Sequence, residues 1–259
     1  MTLQVLVATM HQTDHSLLKK MNIQSDAIVV NQCDRNEVER FTYNGHEILW
    51  MSLNERGIGL SRNTALMRAT ADVVLFADED VTYKNGYSQM IESAFENNQR
   101  ADMLLFDLEA IGDVKNPEKP YVFRRVKWYN SMHYGAVHFA CKRERLFAKG
   151  LSYNLLFGGG AKYSCGEDSI FLAGVLKAGL KVWTIPGCIG TVTHGDSTWF
   201  NGYTDKYFYD KGVLMGTIFG ATAYPLVVAL FLKNGKQAKD YGLKKAIGKA
   251  FKGIKKSAK

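Results

Sequence analysis

Nearly unbroken apolar runs of strand length alternate along this chain with longer stretches in which apolar and polar residues mix. Residues 5–8 and 73–77 are almost wholly apolar, and 27–30, 47–51 and 103–108 carry the same character. Strands covered on both faces require such runs, because each side chain meets a core whichever way it points. Between them, residues 16–21, 61–69 and 87–97 are helix candidates. Strand and helix in alternation predict an α/β fold with a mostly parallel, Rossmann-like central sheet flanked by helices. Ligand sites are then expected outside the carboxyl ends of its strands.

Beyond residue 108 the pattern loosens. The segment KNPEKP at 115–120 holds two of the four prolines and reads as a surface loop at the seam between two halves, about 1–112 and 121–200. A strand over 135–142 and a helix over 169–177, closed by Gly179, are expected next. Residues 213–232 then run uncharged for 20 residues, interrupted by Gly216, Gly220 and Pro225, which is long enough for a bilayer core. Behind them Leu243, Ile247, Phe251 and Ile254 recur at spacings of four, four and three among lysines. That is the pattern of an amphipathic helix lying on anionic lipid, with a plain solvated helix as the competing reading. Residues 201–259 are therefore expected to form a C-terminal helical extension that associates with a membrane through 213–259.

Charge sharpens this division. The formal charge is +8, yet ten lysines and a single acid, Asp240, fall in 233–259, leaving 23 basic and 24 acidic residues in the rest. A nucleic-acid binder would spread its basic surface over the folded part, so that class is set aside. A single membrane crossing would carry the lysine tail outside, against the positive-inside rule, so a monotopic or re-entrant attachment with the tail on the cytoplasmic face is expected. The opening residues MTLQVLVATMHQTD have neither a cationic leader nor a long apolar run, and Cys33, Cys141, Cys165 and Cys188 form no C-x-x-C pair. Both point to a reduced, cytoplasmic setting.

The chemistry gathers at two places. In VVLFADEDV a buried-looking strand runs into Asp78, Glu79 and Asp80. In an extended chain Asp78 and Asp80 share a face and Glu79 takes the other. Two convergent carboxylates suit a hard divalent cation, Mn²⁺ or Mg²⁺, which fills its remaining positions with water and phosphate oxygens. A solvated acidic turn is the alternative. The second place is GGGAKYSCGEDSIFL, where Gly158, Gly159 and Gly160 offer a mobile approach to Gly166, Glu167 and Asp168 at the start of a helix. There the competing reading is a carboxylate that merely caps its helix.

The stretch GIGLSRNTALMRATADVVLFADEDV resembles the central signature of glycosyltransferase family 2, enzymes of the GT-A fold, with Arg62 and Asn63 opening a helix and Asp78-x-Asp80 closing the next strand. The resemblance, over about residues 3–200, implies inverting transfer of a sugar from a nucleotide diphosphate sugar, with 1–112 as donor half and 121–200 as acceptor half. It places Asp80 and Asp78 on the metal, Arg62 near the nucleotide, Ala8 and Thr9 in the nucleotide loop, and Asp34 beside a uracil-like base. The usual double-acid ending of the second strand is absent here, and a turn aspartate remains open for Asp34. It makes Asp168 the catalytic base, supported by Glu167, and adds His194 of TVTHGDSTW to the metal or diphosphate site. Trp128, Tyr134 and Trp199 are candidates to stack on an acceptor, with core packing as the other reading. A lipid-linked saccharide acceptor in cell-surface polysaccharide synthesis is the expected setting.

Two other classes share some of these features. A sugar nucleotidyltransferase would have the same layout and metal carboxylates, but its Gly-rich, Arg-containing loop after the first strand is missing. A degenerate, membrane-bound binding module would not need Asp78, Asp80 and Asp168 together. P-loop chemistry is excluded because no G-x-x-x-x-G-K-[ST] occurs.

Overall fold

The computed structural model describes residues 1–112, 120–193, 202–233 and 236–257. One ten-stranded sheet organises them: β1 (Leu3–Met10), β2 (Asp26–Gln32), β3 (Glu37–Tyr43), β4 (His46–Leu53), β5 (Val73–Asp78), β6 (Val81–Tyr83), β7 (Met103–Ile111), β8 (Arg124–Arg125), β9 (Phe139–Lys142) and β10 (Val182–Thr193). The order is β3-β4-β2-β1-β5-β9-β7-β10-β6, with β8 paired to β10. Strands β4, β2, β1 and β5 are mutually parallel. Antiparallel pairings bring in β3, β9, β6 and β8.

Alternate residues of one strand feed two different cores. Val5, Val7, Val73 and Leu75 join the layer under α1 (Ser16–Lys20) and α3 (Tyr87–Asn97). Leu6, Val74 and Phe76 join the layer under α2 (Ile58–Leu66) and α5 (Glu167–Lys177). This double burial is why the strand runs are apolar at every position. The short α4 (Arg143–Ala148) follows β9.

Three expectations need correction. Strand β3 was not anticipated, because its residues EVERFTY alternate on an exposed edge; the signal was Asn44-Gly45, both at positive φ, which closes the β3–β4 hairpin. The strand expected over 135–142 begins only at Phe139, since 136–138 form a 3₁₀ turn whose first amide is taken by Asp168. The seam near 115–120 does not divide the sheet: β7 of the first half lies between β9 and β10 of the second.

The C-terminal extension folds back on itself as α6 (Asp205–Phe219), a 3₁₀ turn at 220–222, α7 (Ala223–Lys233), α8 (Lys236–Tyr241) and α9 (Leu243–Ser257). The run Asp205–Lys233 is long and apolar enough to cross a membrane. Gly220, at φ 58° and ψ −135°, breaks it into pieces of roughly 22 and 16 Å, each shorter than a hydrocarbon core of about 30 Å. The amphipathic stripe of α9 does not lie bare for lipid, as the sequence pattern suggested. Leu243, Ile247, Phe251 and Ile254 pack with Phe208, Met215, Val227 and Phe231 of α6 and α7, so protein burial accounts for the periodicity.

Candidate active site

Strand order reverses at β1, with β2 and β4 built outward on one side and β5 on the other, and this reversal opens a crevice at their carboxyl ends. Register places Ala8 directly beside Asp78 across that switch point. Ala8 is buried, and Thr9 gives its hydroxyl to Glu79, which also accepts from the Met10 amide at 3.2 Å and Gln12 Nε2 at 3.2 Å. Glu79, in the turn that follows β5 and not in an extended continuation of it, thus ties down the loop after β1. Asn31 and Gln12 reinforce it through a reciprocal pair of bonds at 3.0 and 2.9 Å. Asp34 stands exposed past the end of β2 on the same edge.

The centre of the site is Arg62, only 2% exposed, on α2. Its Nη2 donates to both oxygens of Asp78, at 2.9 and 3.1 Å, while Nη1 donates to Asp168 Oδ1 at 2.6 Å and lies 3.4 Å from Glu167 Oε1. One guanidinium therefore links the carboxylate at the end of β5 to the pair at the start of α5. Below it the buried Tyr153 ring lies 5.2 Å from the guanidinium carbon and stacks on Phe171 at 4.2 Å. Asn63, the other half of the Arg-Asn pair, clamps the Tyr153 backbone through its carbonyl and amide, at 2.7 and 2.9 Å. The two residues have separate tasks: Arg62 gathers the acids, and Asn63 fixes the floor beneath them.

Helix α5 is capped by Gly166 without a side-chain bond, and Asp168 spends its oxygens elsewhere, on Arg62 and on the Ala136 amide at 3.0 Å. The helix-cap reading of Asp168 is thereby removed. Gly166 is at φ +109°, and a Cβ there would sit 2.6 Å from Leu214 of α6, so the site leans directly on the C-terminal extension. The three glycines at 158–160 are not a loose approach: Ile58 N–H bonds Gly159 O at 3.0 Å and Gly158 N–H bonds Tyr163 O at 2.9 Å.

Burial pushes Glu167 up to about 7, with the neighbouring Asp168 charge adding to the rise and Arg62 opposing it. Asp168 is also raised by burial, against the pull of Arg62. Arg62 stays charged well above its ordinary range: burial opposes its charge, but Asp168, Asp78 and Glu167 outweigh it.

Asp80 occupies the turn between β5 and β6, and its carbonyl accepts from Thr193 N–H at 3.0 Å, which joins that turn to the end of β10. His194, the next residue, and Trp199 lie outside the described residues. Among the described residues no set of three His, Cys, Asp or Glu side chains is arranged to hold a metal on its own. The oxygen donors of Asp78 and Asp80 nonetheless suit a cation that keeps one or two protein carboxylates and completes its shell with water and phosphate. Tyr134 is a core residue, 7% exposed and edge-on to Tyr121, so its ring is not presented to an acceptor. Trp128 is 62% exposed but faces Phe219 at the end of α6.

This arrangement is a GT-A-like fold. Among solved structures, S. aureus TarS 1–349 in complex with UDP-GlcNAc aligns with a TM-score of 0.63 and 15% identity, over 86% of this chain and 70% of that one. The same protein in complex with UDP gives 0.59 and 16%, over 86% and 69%. The longer S. aureus TarS chain gives 0.64 and 15%, over 93% of this chain and 45% of its own length. No protein-family model and no curated protein sequence matches the chain. The fold expected from the sequence motifs is thus the fold observed.

Proposed function

We propose that the protein is an inverting glycosyltransferase that moves a sugar from a nucleotide diphosphate sugar, a UDP-sugar, to a lipid-linked saccharide in cell-surface polysaccharide synthesis. The observation that carries this reading is the Arg62 hub, which brings Asp78, at the switch-point crevice, and Asp168, at the head of α5, onto one guanidinium. That S. aureus TarS has been seen with UDP-GlcNAc and with UDP on the same fold supports the donor class.

In this reading the loop after β1, held by Glu79 and Asn31, receives the nucleotide, and the exposed Asp34 stands toward the base. Asp80, with Asp78 and His194, would hold Mn²⁺ or Mg²⁺, which when bound offsets the diphosphate charge as it departs. Asp168 takes the proton of the acceptor hydroxyl as that oxygen attacks the anomeric carbon. Arg62 draws Asp168 toward its ionised form against the effect of burial and aims it, and Glu167, raised to about 7, stands beside it on the same guanidinium. Attachment is to the cytoplasmic face of the membrane. It is supported by the exposed outer face of α7, with Pro225, Ala229 and Leu232, and by lysines on the outside of α9.

The test is a panel of nucleotide sugars in titration calorimetry and hydrolysis assays, with Mn²⁺, with Mg²⁺ and with chelator. Asp80→Asn is expected to lose metal-dependent donor binding. Asp168→Asn is expected to keep it while losing transfer by about 10²-fold or more. Release of pyrophosphate from a nucleoside triphosphate and a sugar 1-phosphate, instead of a nucleoside diphosphate from the nucleotide sugar, would mark a nucleotidyltransferase, and binding without turnover a binding module.

A further inference from the structure

One large cavity stands apart from the carboxylates. It lies between the C-terminal half of α5, the elbow joining α6 to α7 and the segment that precedes β9, and its volume is about 1000 Å³. That is at the upper end of the range for small-molecule sites, about 300–1,000 Å³. Its walls are mostly apolar, with Leu176, Ile218, Phe219, Leu226, Trp128 and Trp183 among the lining residues. The charged groups that line it are all cationic: Arg125, Lys127 and Lys177. Arg125 stacks over Trp183 with its carbon 5.2 Å from the ring, and Lys177 Nζ donates to Ile218 O at 2.6 Å, closing the end of α6. Among the described residues neither Arg125 nor Lys127 is in an ion pair.

An apolar chamber with cations and no carboxylate in its lining matches a molecule with a long hydrocarbon part and an anionic head. Pro225 lines the cavity and also lies on the exposed face of α7, with Ala229 and Leu232 beyond it, so the chamber is continuous with an exposed apolar surface of the extension. Helix α5 connects it to the proposed base: Asp168 lies in its first turn and Lys177 ends it, roughly 13 Å away along the axis. From this the geometry points to the cavity as the seat of the acceptor's lipid, its hydrocarbon chain between α5 and the α6–α7 elbow and its phosphate at Arg125 and Lys127, so that the saccharide runs back along α5 to Asp168. The inference rests on the lipid-linked acceptor reading above, and it assigns Trp128 to the lipid and not to a sugar.

The test uses the full chain and dodecyl phosphate below its micelle concentration, with binding read by calorimetry and donor hydrolysis followed in parallel. Saturable binding is expected, at least tenfold tighter than for dodecanol or inorganic phosphate. Arg125→Glu with Lys127→Glu should weaken it at least tenfold, as should Thr222→Trp, which fills the mouth. Val38→Gln, on the exposed edge strand β3, should leave it unchanged, and circular dichroism shows that each variant is folded. Equal affinity for dodecanol, indifference to Thr222→Trp, or an equal loss in Val38→Gln would overturn the assignment. So would a dimer that Thr222→Trp dissociates while the probe does not bind, which would give the face to a second copy. Donor hydrolysis without lipid binding removes this inference alone; lipid binding without hydrolysis keeps it and removes the transferase.

Discussion

Arg62 sets the electrostatics of the site because three carboxylates compete for one buried cation. Removing a partner from a buried ion cluster typically costs about 3–5 kcal/mol, since the remaining charges are left uncompensated. The imbalance shows most in Glu167, held near 7 where an ordinary glutamate ionises near 4.5. A carboxyl raised in the folded state stabilises the fold while protonated, fully below its unfolded pKa, and that contribution is lost as pH rises through the folded value. Glu167→Gln cannot ionise. Its melting temperature should therefore gain on the parent's between about pH 4.5 and 7 and then hold a constant lead. Melting curves of both proteins from pH 4 to 8.5 check this, and parallel curves would show that Glu167 ionisation is not linked to folding. Asp168 is raised too, so transfer should fall away on the acid side at a pH above that of an ordinary aspartate.

Among the helices, the contact between α6 and α9 tolerates least change. A Cβ at Gly253 would lie 2.2 Å from Tyr209 O, and one at Gly212 only 2.0 Å from Ala250 O, so the two backbones touch with no side chain able to yield. Gly253→Val should separate the helices, costing about 1–3 kcal/mol or more. Gly248 of α9 has nothing within 4 Å, so Gly248→Ala should be neutral or stabilise by about 0.5–1 kcal/mol through helix propensity. Urea unfolding of both variants, with hydrogen exchange in α9 as the local readout, separates packing from propensity. Asp205 adds a polar clamp at the other end of the pair, meeting Tyr241, Lys245 at 3.1 Å and Lys249 at 2.5 Å.

For the molecule as a whole, the extension is packed into the body that carries the candidate site. A chain ending at Gly212 keeps every candidate donor and metal residue, all of which lie upstream. In the fold, Val213, Leu214 and Ile218 cover Phe157, Tyr163 and Ala173, and Leu214 backs Gly166 at the head of α5. That truncation should therefore lower the melting temperature and weaken donor binding, which calorimetry would register; unchanged affinity would show that the α6 wall is dispensable. The lysines of α9 also divide into two sets. Lys245 and Lys249 are engaged by Asp205, whereas Lys244, Lys252, Lys255 and Lys256 are exposed. Changing these four to Gln should weaken binding to anionic vesicles and flatten its salt dependence, while the Lys245 and Lys249 pair should matter more for stability.

Much of this was legible along the chain. Double-sided burial makes a central strand apolar at every position, so β1, β2, β5 and β7 announced themselves, and the Asp78-x-Asp80 and Glu167-Asp168 segments marked the end of β5 and the start of α5, which Arg62 joins. A composition pattern cannot say which partner a face meets, however. The stripe on α9 reads the same whether lipid or α6 covers it, and only the glycine-to-backbone contacts decided for α6. Nor does spacing reveal that Arg62 spans 106 residues to reach Asp168, that Glu79 serves the loop after β1, or that Asn63 holds Tyr153. Local periodicity is dictated by burial and is written in neighbouring residues, whereas a charge cluster is assembled by chain crossings, whose partners exist as neighbours only once the sheet has formed.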